Sequence, residues 1–236
     1  MTPLPLQKAE VLHIIGTSHI SKQSIREIKE AILLQKPDIV AVELDAERAY
    51  VLMHGEKTRL SLKDILHIGV KGFIFAKIGQ ILQQKLGKMV GVSPGTEMKT
   101  ALEEAQKNKI PIALIDQPIK VTLKNFSKNL TWREKFRFLG DIIKGVLFPK
   151  RQLKEAGLED FDLTKVPEKK LIAVMMKQLK QRYPNVYKTL VEDRNQYMVK
   201  KIIKLLRENS KKKILVVVGA GHKEGMEELL LKVDVI

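Results

Sequence analysis

Hydrophobic positions along this chain fall into short runs that break at a glycine or turn abruptly acidic. Val11-Leu12-His13-Ile14-Ile15 opens into Gly16-Thr17-Ser18-His19, and near the other end Ile214-Leu215-Val216-Val217-Val218 opens into Gly219-Ala220-Gly221-His222. Such β-branched runs read as buried parallel strands with both faces covered. Two further strands, Asp38-Ile39-Val40-Ala41-Val42-Glu43-Leu44-Asp45 and Ile110-Pro111-Ile112-Ala113-Leu114-Ile115-Asp116, are apolar and turn acidic at their carboxyl ends. Between the runs the period lengthens. Ser24, Ile25, Ile28, Ala31, Ile32 and Leu33 predict an amphipathic helix capped by Ser21 and stopped at Lys36-Pro37. The segment from Glu97 to Asn108 predicts another, entered through a loop at Ser93-Pro94-Gly95.

Thr131-Trp132-Arg133-Glu134 reads as a capping box before a further helix, with Trp132 assigned to packing. Two long helices are expected over about 168–182 and 185–209, parted at Tyr183-Pro184, and a last one from about Glu224 to Leu231. The stretch 61–90 is helical in period but unusually apolar, and Gly69, Gly72 and Gly79 interrupt it. It reads as an insertion packed on the sheet or as a homodimer contact, with a membrane-surface contact as the alternative. Residues 149–167 are charged and weakly periodic, as an exposed connection would be.

Strand, helix and strand in alternation define an α/β fold with a mixed, largely parallel sheet flanked by helices. We expect one domain over 1–236 with helical insertions at about 60–92 and 130–185. The glycine-ended and acid-ended runs then share the carboxyl edge of the sheet, where open α/β sheets bind ligands.

Composition narrows the chemistry. With 236 residues and 44% hydrophobic content the chain can bury a sizeable core, and without cysteine it can form neither a disulfide nor a thiolate-ligated zinc site. A metal would depend on His, Asp and Glu. The N-terminus carries no secretory pattern, and no stretch is apolar for long enough to span a bilayer. A membrane-associated or cytoplasmic location is therefore expected. A net charge of +16 favours an acidic partner, such as a membrane surface, or serves solubility. Aromatic residues make up only 5%, and nucleic acid is not an expected partner.

Imidazole with carboxylate is the ligand set of a harder divalent ion, so His19, Glu43 and His222 form a candidate metal site if their strands are neighbours. The flanking glycines would admit an ion or a substrate oxygen close to the backbone. Gly219-Ala220-Gly221 lacks the third glycine of a dinucleotide loop, and no Gly-Lys-Ser/Thr is present. Ser18 lies outside a Gly-x-Ser-x-Gly context. Glu97 at a helix start is explained by the helix dipole alone, and Arg194 by an ordinary salt bridge. His13, His54 and His67 receive no role.

Six stretches taken in order resemble the TraB/PrgY family, which is grouped with the TIKI metalloproteases and the erythromycin esterase/ChaN-like fold. They are Ile14 to His19, Val40 to Asp45 with Arg48, Gly95 to Met98, Leu114 to Asp116, Glu192 to Met198, and Val216 to His222. The resemblance implies a site built from His19, Glu43, His222 and Arg194, with Glu97 as a further member. Relatives silence a peptide pheromone signal or clip a secreted signalling protein in a metal-dependent way, so a metal-dependent peptidase acting on a short peptide is implied.

In that reading His19, Glu43 and His222 hold manganese, cobalt or zinc, Glu97 is a general base, and Arg194 stabilises an oxyanion or binds a substrate carboxylate. The alternative is a non-catalytic domain that binds or sequesters a peptide at a membrane. The chain departs from the family pattern in two places. Relatives commonly continue into transmembrane helices, which suggests the soluble part of a longer membrane protein. Gln117-Pro118 also succeed Asp116 where relatives tend to carry an arginine.

Overall fold

Four parallel strands form the centre of the molecule, in the order β1-β4-β2-β3: β1 Leu12–Thr17, β2 Ile39–Val42, β3 Ile112–Leu114 and β4 Ile214–Gly219. The structure, a computed structural model, describes residues 11–17, 22–55, 95–134, 136–137, 140–141 and 169–233. The sheet is the largely parallel one expected, and every described pairing in it is parallel. All six residues of β4 are buried, as a central strand covered on both faces requires. The two glycine-ended strands are direct neighbours. β4 inserts between β1 and β2, and its register with β1 sets Gly16 opposite Val218 and Thr17 opposite Gly219.

Helices cover both faces. Ile214, Val216 and Val218 point to a core shared with α7 (Asp193–Glu208) and α8 (Ala220–Leu231), through Met198, Ile202, Met226 and Leu230. Leu215 and Val217, one residue out of phase, point to the opposite core. There they meet α1 (Lys22–Gln35) and α3 (Thr96–Lys107), through Ile28, Ile32, Met98, Ala101 and Leu102. Each face buries more than a dozen apolar side chains. At about 1.5–3 kcal/mol for each large aliphatic, this burial drives the sheet to form between its helices rather than at their side.

Helix ends obey local chemistry. Asp45 caps α2 (Ala46–His54), its Oδ1 accepting the Arg48 amide at 2.9 Å, so β2 stops at Val42 and is shorter than the acid-ended run suggested. The Thr131 capping box is present: the Glu134 amide donates to Thr131 Oγ1 at 3.3 Å, and the Thr131 amide donates to Glu134 Oε2 at 3.2 Å. The helix α4 (Ile119–Asn129) just before it was not predicted from the period. Trp132 was expected to pack, yet it is 68% exposed.

After α5 (Lys169–Arg182), Pro184 begins the short helix α6 (Pro184–Tyr187), as its missing amide hydrogen permits. The chain then runs without a break through a π-helical turn, Lys188–Glu192, into α7. The insertion expected at 60–92 lies outside the described residues. Among the described residues, no helix is long and apolar enough to cross a membrane.

Candidate functional site

The carboxyl edge of the sheet gathers charge. Glu43 directly succeeds β2, Asp116 lies just past β3, His222 lies in the first turn of α8 after β4, and Arg194 lies in the first turn of α7. The π turn before α7 adds a residue to the helical turn and shifts the phase of the helix beyond it. Arg194 thereby points back over the strand ends.

The Arg194 side chain is the hub. Its Nε donates to Asp116 Oδ1 at 3.1 Å and its Nη2 to Asp116 Oδ2 at 2.6 Å, a bidentate grip, while Nη2 also donates to Glu43 Oε1. Nη1 donates to the Leu190 carbonyl at 3.3 Å and faces His222 Nε2 at 3.1 Å. All five guanidinium hydrogens therefore have acceptors. Burial by itself would lower the pKa of this arginine, but the charges and hydrogen bonds of Glu43 and Asp116 outweigh it and raise the pKa above the ordinary value.

The carboxylates carry further bonds. Glu43 Oε2 accepts the Gly219 amide at 2.6 Å, which ties the end of β2 to the end of β4. Arg48 donates from Nη2 to Asp116 Oδ2 at 2.5 Å and from Nε to Asp45 Oδ2 at 2.7 Å. Asp45 Oδ2 further accepts the Ile119 amide at 3.0 Å. Burial would push the Asp45 carboxyl up, but the Arg48 amide and guanidinium and the Ile119 amide hold it below the usual carboxylate range. Two guanidiniums face three carboxylates here, an excess of one negative charge.

His222 has a defined tautomer. A guanidinium can only donate, so Nε2 is the acceptor toward Arg194, and Nδ1 carries the hydrogen given to Asn195 Oδ1 at 2.6 Å. Nε2 also lies 3.3 Å from Glu43 Oε1. Asn195 reaches the ring because residue 225 is glycine: a Cβ there would stand 2.5 Å from Asn195 Nδ2.

Glu43, Arg194 and His222 are thus brought together, as expected. His19 lies outside the described residues. Glu97 is buried in the first turn of α3, a helix that packs on the sheet face opposite α7 and α8. The glycines also serve packing. A Cβ on Gly16 would meet the Ala220 Cα at 3.2 Å, and one on Gly221 would meet the Met176 methyl at 3.3 Å. At both positions the close approach is to other parts of the protein.

Asp45, Arg48, Asp116 and Asn195 were not assigned to the site from sequence. The i,i+3 spacing of Asp45 and Arg48 at a helix start was a usable signal. The arginine missing after Asp116 is replaced in space by Arg48.

Among the described residues no group of three or more His, Asp and Glu side chains is arranged around an ion position. The donor atoms explain why: His222 Nε2 and Glu43 Oε1, the two described members of the expected metal set, both face the Arg194 guanidinium. As arranged they fit a cationic side chain, and a divalent ion between them would have to displace it.

Fold and site together define an α/β domain whose strand-end edge carries a buried, arginine-centred carboxylate cluster with one oriented histidine. The chain belongs to the TraB/PrgY/gumN family, whose model matches residues 6–233. It is 35% identical over 228 residues to an uncharacterized protein of Methanocaldococcus jannaschii, covering 94% of this chain and 54% of that protein. It is 27% identical over 254 residues to a TraB domain-containing protein of Homo sapiens, covering 97% of this chain and 65% of the human protein. The mouse TraB domain-containing protein matches similarly, at 26% identity. The chain thus spans between about half and two thirds of the length of these relatives.

Proposed function

We propose that the chain is a hydrolase-type domain that cleaves a short peptide at the carboxyl edge of its sheet. The observation that carries this reading is the His222 imidazole, oriented by Asn195 with its Nε2 3.3 Å from Glu43 Oε1. Hydrolysis of an amide needs a group that takes the proton of the attacking water and returns it to the leaving nitrogen. His222 Nε2 fills that part once Arg194 Nη1 moves off the Nε2 lone pair, which then takes the proton of the water; Glu43 stabilises the imidazolium that forms. Arg194, with all its hydrogens engaged, is a positioning residue that orients Glu43; the resemblance had given it an oxyanion role. The peptide character of the substrate comes from the family resemblance alone.

A divalent ion of the kind expected would draw on His222 and Glu43 with His19, and would supply a more acidic bound water and a polarised carbonyl. Because Arg194 already occupies the two described ligands, the roles above use no ion. The competing reading, a peptide-binding domain without catalysis, is favoured by that same full engagement of Arg194, which is also what a structural network would show.

One experiment separates these. Chelator-stripped chain is incubated with a mixed peptide library, with and without manganese, cobalt or zinc, and the products are read by mass spectrometry for wild type, His222→Ala and Glu43→Gln. Cleavage that falls on the order of a hundredfold or more in both variants supports hydrolysis at this site. Cleavage that appears only on adding an ion assigns the site to a metal. Peptide binding without cleavage under every condition favours the non-catalytic domain.

A further inference from the structure

We propose that the segment around Trp132 is a docking surface for an anionic lipid bilayer, independently of what the strand-end site does. Trp132 and Phe136 are each 68% exposed and stack on one another, with ring centroids 6.1 Å apart, so they form one apolar ridge on the outside of the molecule. One residue along from each, Arg133 and Arg137 are exposed too. At this i,i+4 spacing an aromatic ridge and a cationic ridge run side by side along a helix. Upstream, α4 presents Lys124 and Lys128 at the same spacing.

The segment's only carboxylate is turned the other way. Glu134 is buried and accepts from Thr131, from the Asn185 amide at 2.8 Å and from Asn185 Nδ2 at 3.0 Å. That leaves the exposed residues 132, 133, 136 and 137 aromatic and positive with no acidic side chain among them, in a chain of net charge +16. The expectation that Trp132 packs is reversed by its exposure.

Charge complementarity selects the occupant. Tryptophan and phenylalanine beside arginine suit the boundary between headgroups and acyl chains, where the rings enter and the guanidiniums meet anionic phosphates. Single-stranded nucleic acid would need aromatic faces open to successive bases, whereas Trp132 and Phe136 are turned toward one another, 6.1 Å between centroids and inclined by 29°.

Trp132 is the sole tryptophan, so its fluorescence reports on this surface and no other. The 236-residue chain is titrated with vesicles of phosphatidylcholine containing about one third phosphatidylserine, and with vesicles of phosphatidylcholine alone. The expected result is a blue shift and quenching by brominated acyl chains with the anionic vesicles only, weakened by salt. Because each basic residue near the surface is worth about fivefold in partitioning, Arg133→Glu should weaken it by roughly tenfold or more. Phe136→Ala should weaken it several-fold while keeping the probe, with circular dichroism confirming the fold in both.

An emission spectrum unmoved by anionic vesicles overturns the proposal. So does vesicle binding that both variants retain in full. Tryptophan quenching by a single-stranded oligonucleotide with none by vesicles would overturn it in favour of nucleic acid.

Discussion

Replacing Arg194 with methionine removes one positive charge and leaves a side chain of comparable length. The arginine side chain is 14% exposed, and its carboxylate partners Glu43 and Asp116 are 4% and 1% exposed. Deleting one member of a buried ion pair leaves the other charge without compensation and costs about 3–5 kcal/mol. Arg48 still pairs with Asp116, so the deficit concentrates on Glu43, which keeps the Gly219 amide as a donor but loses its guanidinium. For a chain of this size each kcal/mol moves Tm by roughly 2–4 °C, which places the expected fall at roughly 6–20 °C.

The pH dependence has the same origin. A buried carboxylate that has lost its guanidinium favours uptake of a proton in the folded variant more than in the unfolded chain. By linkage the variant gains stability, relative to wild type, as pH is lowered from 7 toward 5. Urea unfolding monitored by circular dichroism at both pH values measures both effects. A loss below about 1 kcal/mol at pH 7, or the same loss at both pH values, would refute the view that Arg194 neutralises buried charge. Glu43→Gln placed in the Arg194→Met background should restore part of the lost stability, because it removes the stranded charge.

The geometry yields two other expected outcomes. Gly225→Ala would gain up to about 1 kcal/mol from helix propensity, but its Cβ would stand 2.5 Å from Asn195 Nδ2. We therefore expect a net loss of about 1–2 kcal/mol in chemical denaturation and a His222 side-chain proton resonance shifted by loss of its Asn195 partner; a stabilised variant would show that Asn195 does not need that space. Asp45→Asn keeps an acceptor at the cap of α2 but loses the charged contact with Arg48. Because the Asp45 carboxyl is held below the usual range, its contribution is present above the ordinary carboxylate pKa of about 4 and lost as pH falls through the lower folded value. The variant should thus be less stable than wild type by about 1 kcal/mol at pH 7, with the gap closing in acid, and a gap that is constant with pH would contradict this.

Much of the frame was legible in the chain itself. The apolar runs that end at Val42 and Val218 specify strands because two covered faces leave no polar phase, and a strand covered on both faces belongs to a parallel sheet; the edge strand β1 keeps one exposed polar position, His13. The glycine and carboxylate endings of those runs also marked which end of each strand would carry chemistry, and Glu43, Arg194 and His222 do meet there. Sequence alone set these because they depend on local period and on the side-chain alternation of a strand, both confined to a few consecutive residues.

Tertiary structure decided which strands are neighbours and what each charged group faces. β4 joins β1 about 200 residues away in the chain, and no local pattern encodes that choice, because either edge would have accepted an equally apolar strand. The partners of Asp116 come from α2 and α7, so the arginine absent from its own neighbourhood in sequence is supplied through space. Trp132 is the converse case. Its apolar ring read as core, and only the packing of Glu134 onto Asn185 turned that side of the helix inward and left the indole facing solvent. The physical reason is common to all three: burial and ion pairing reward proximity in space, and proximity between distant segments is a property of the fold as a whole.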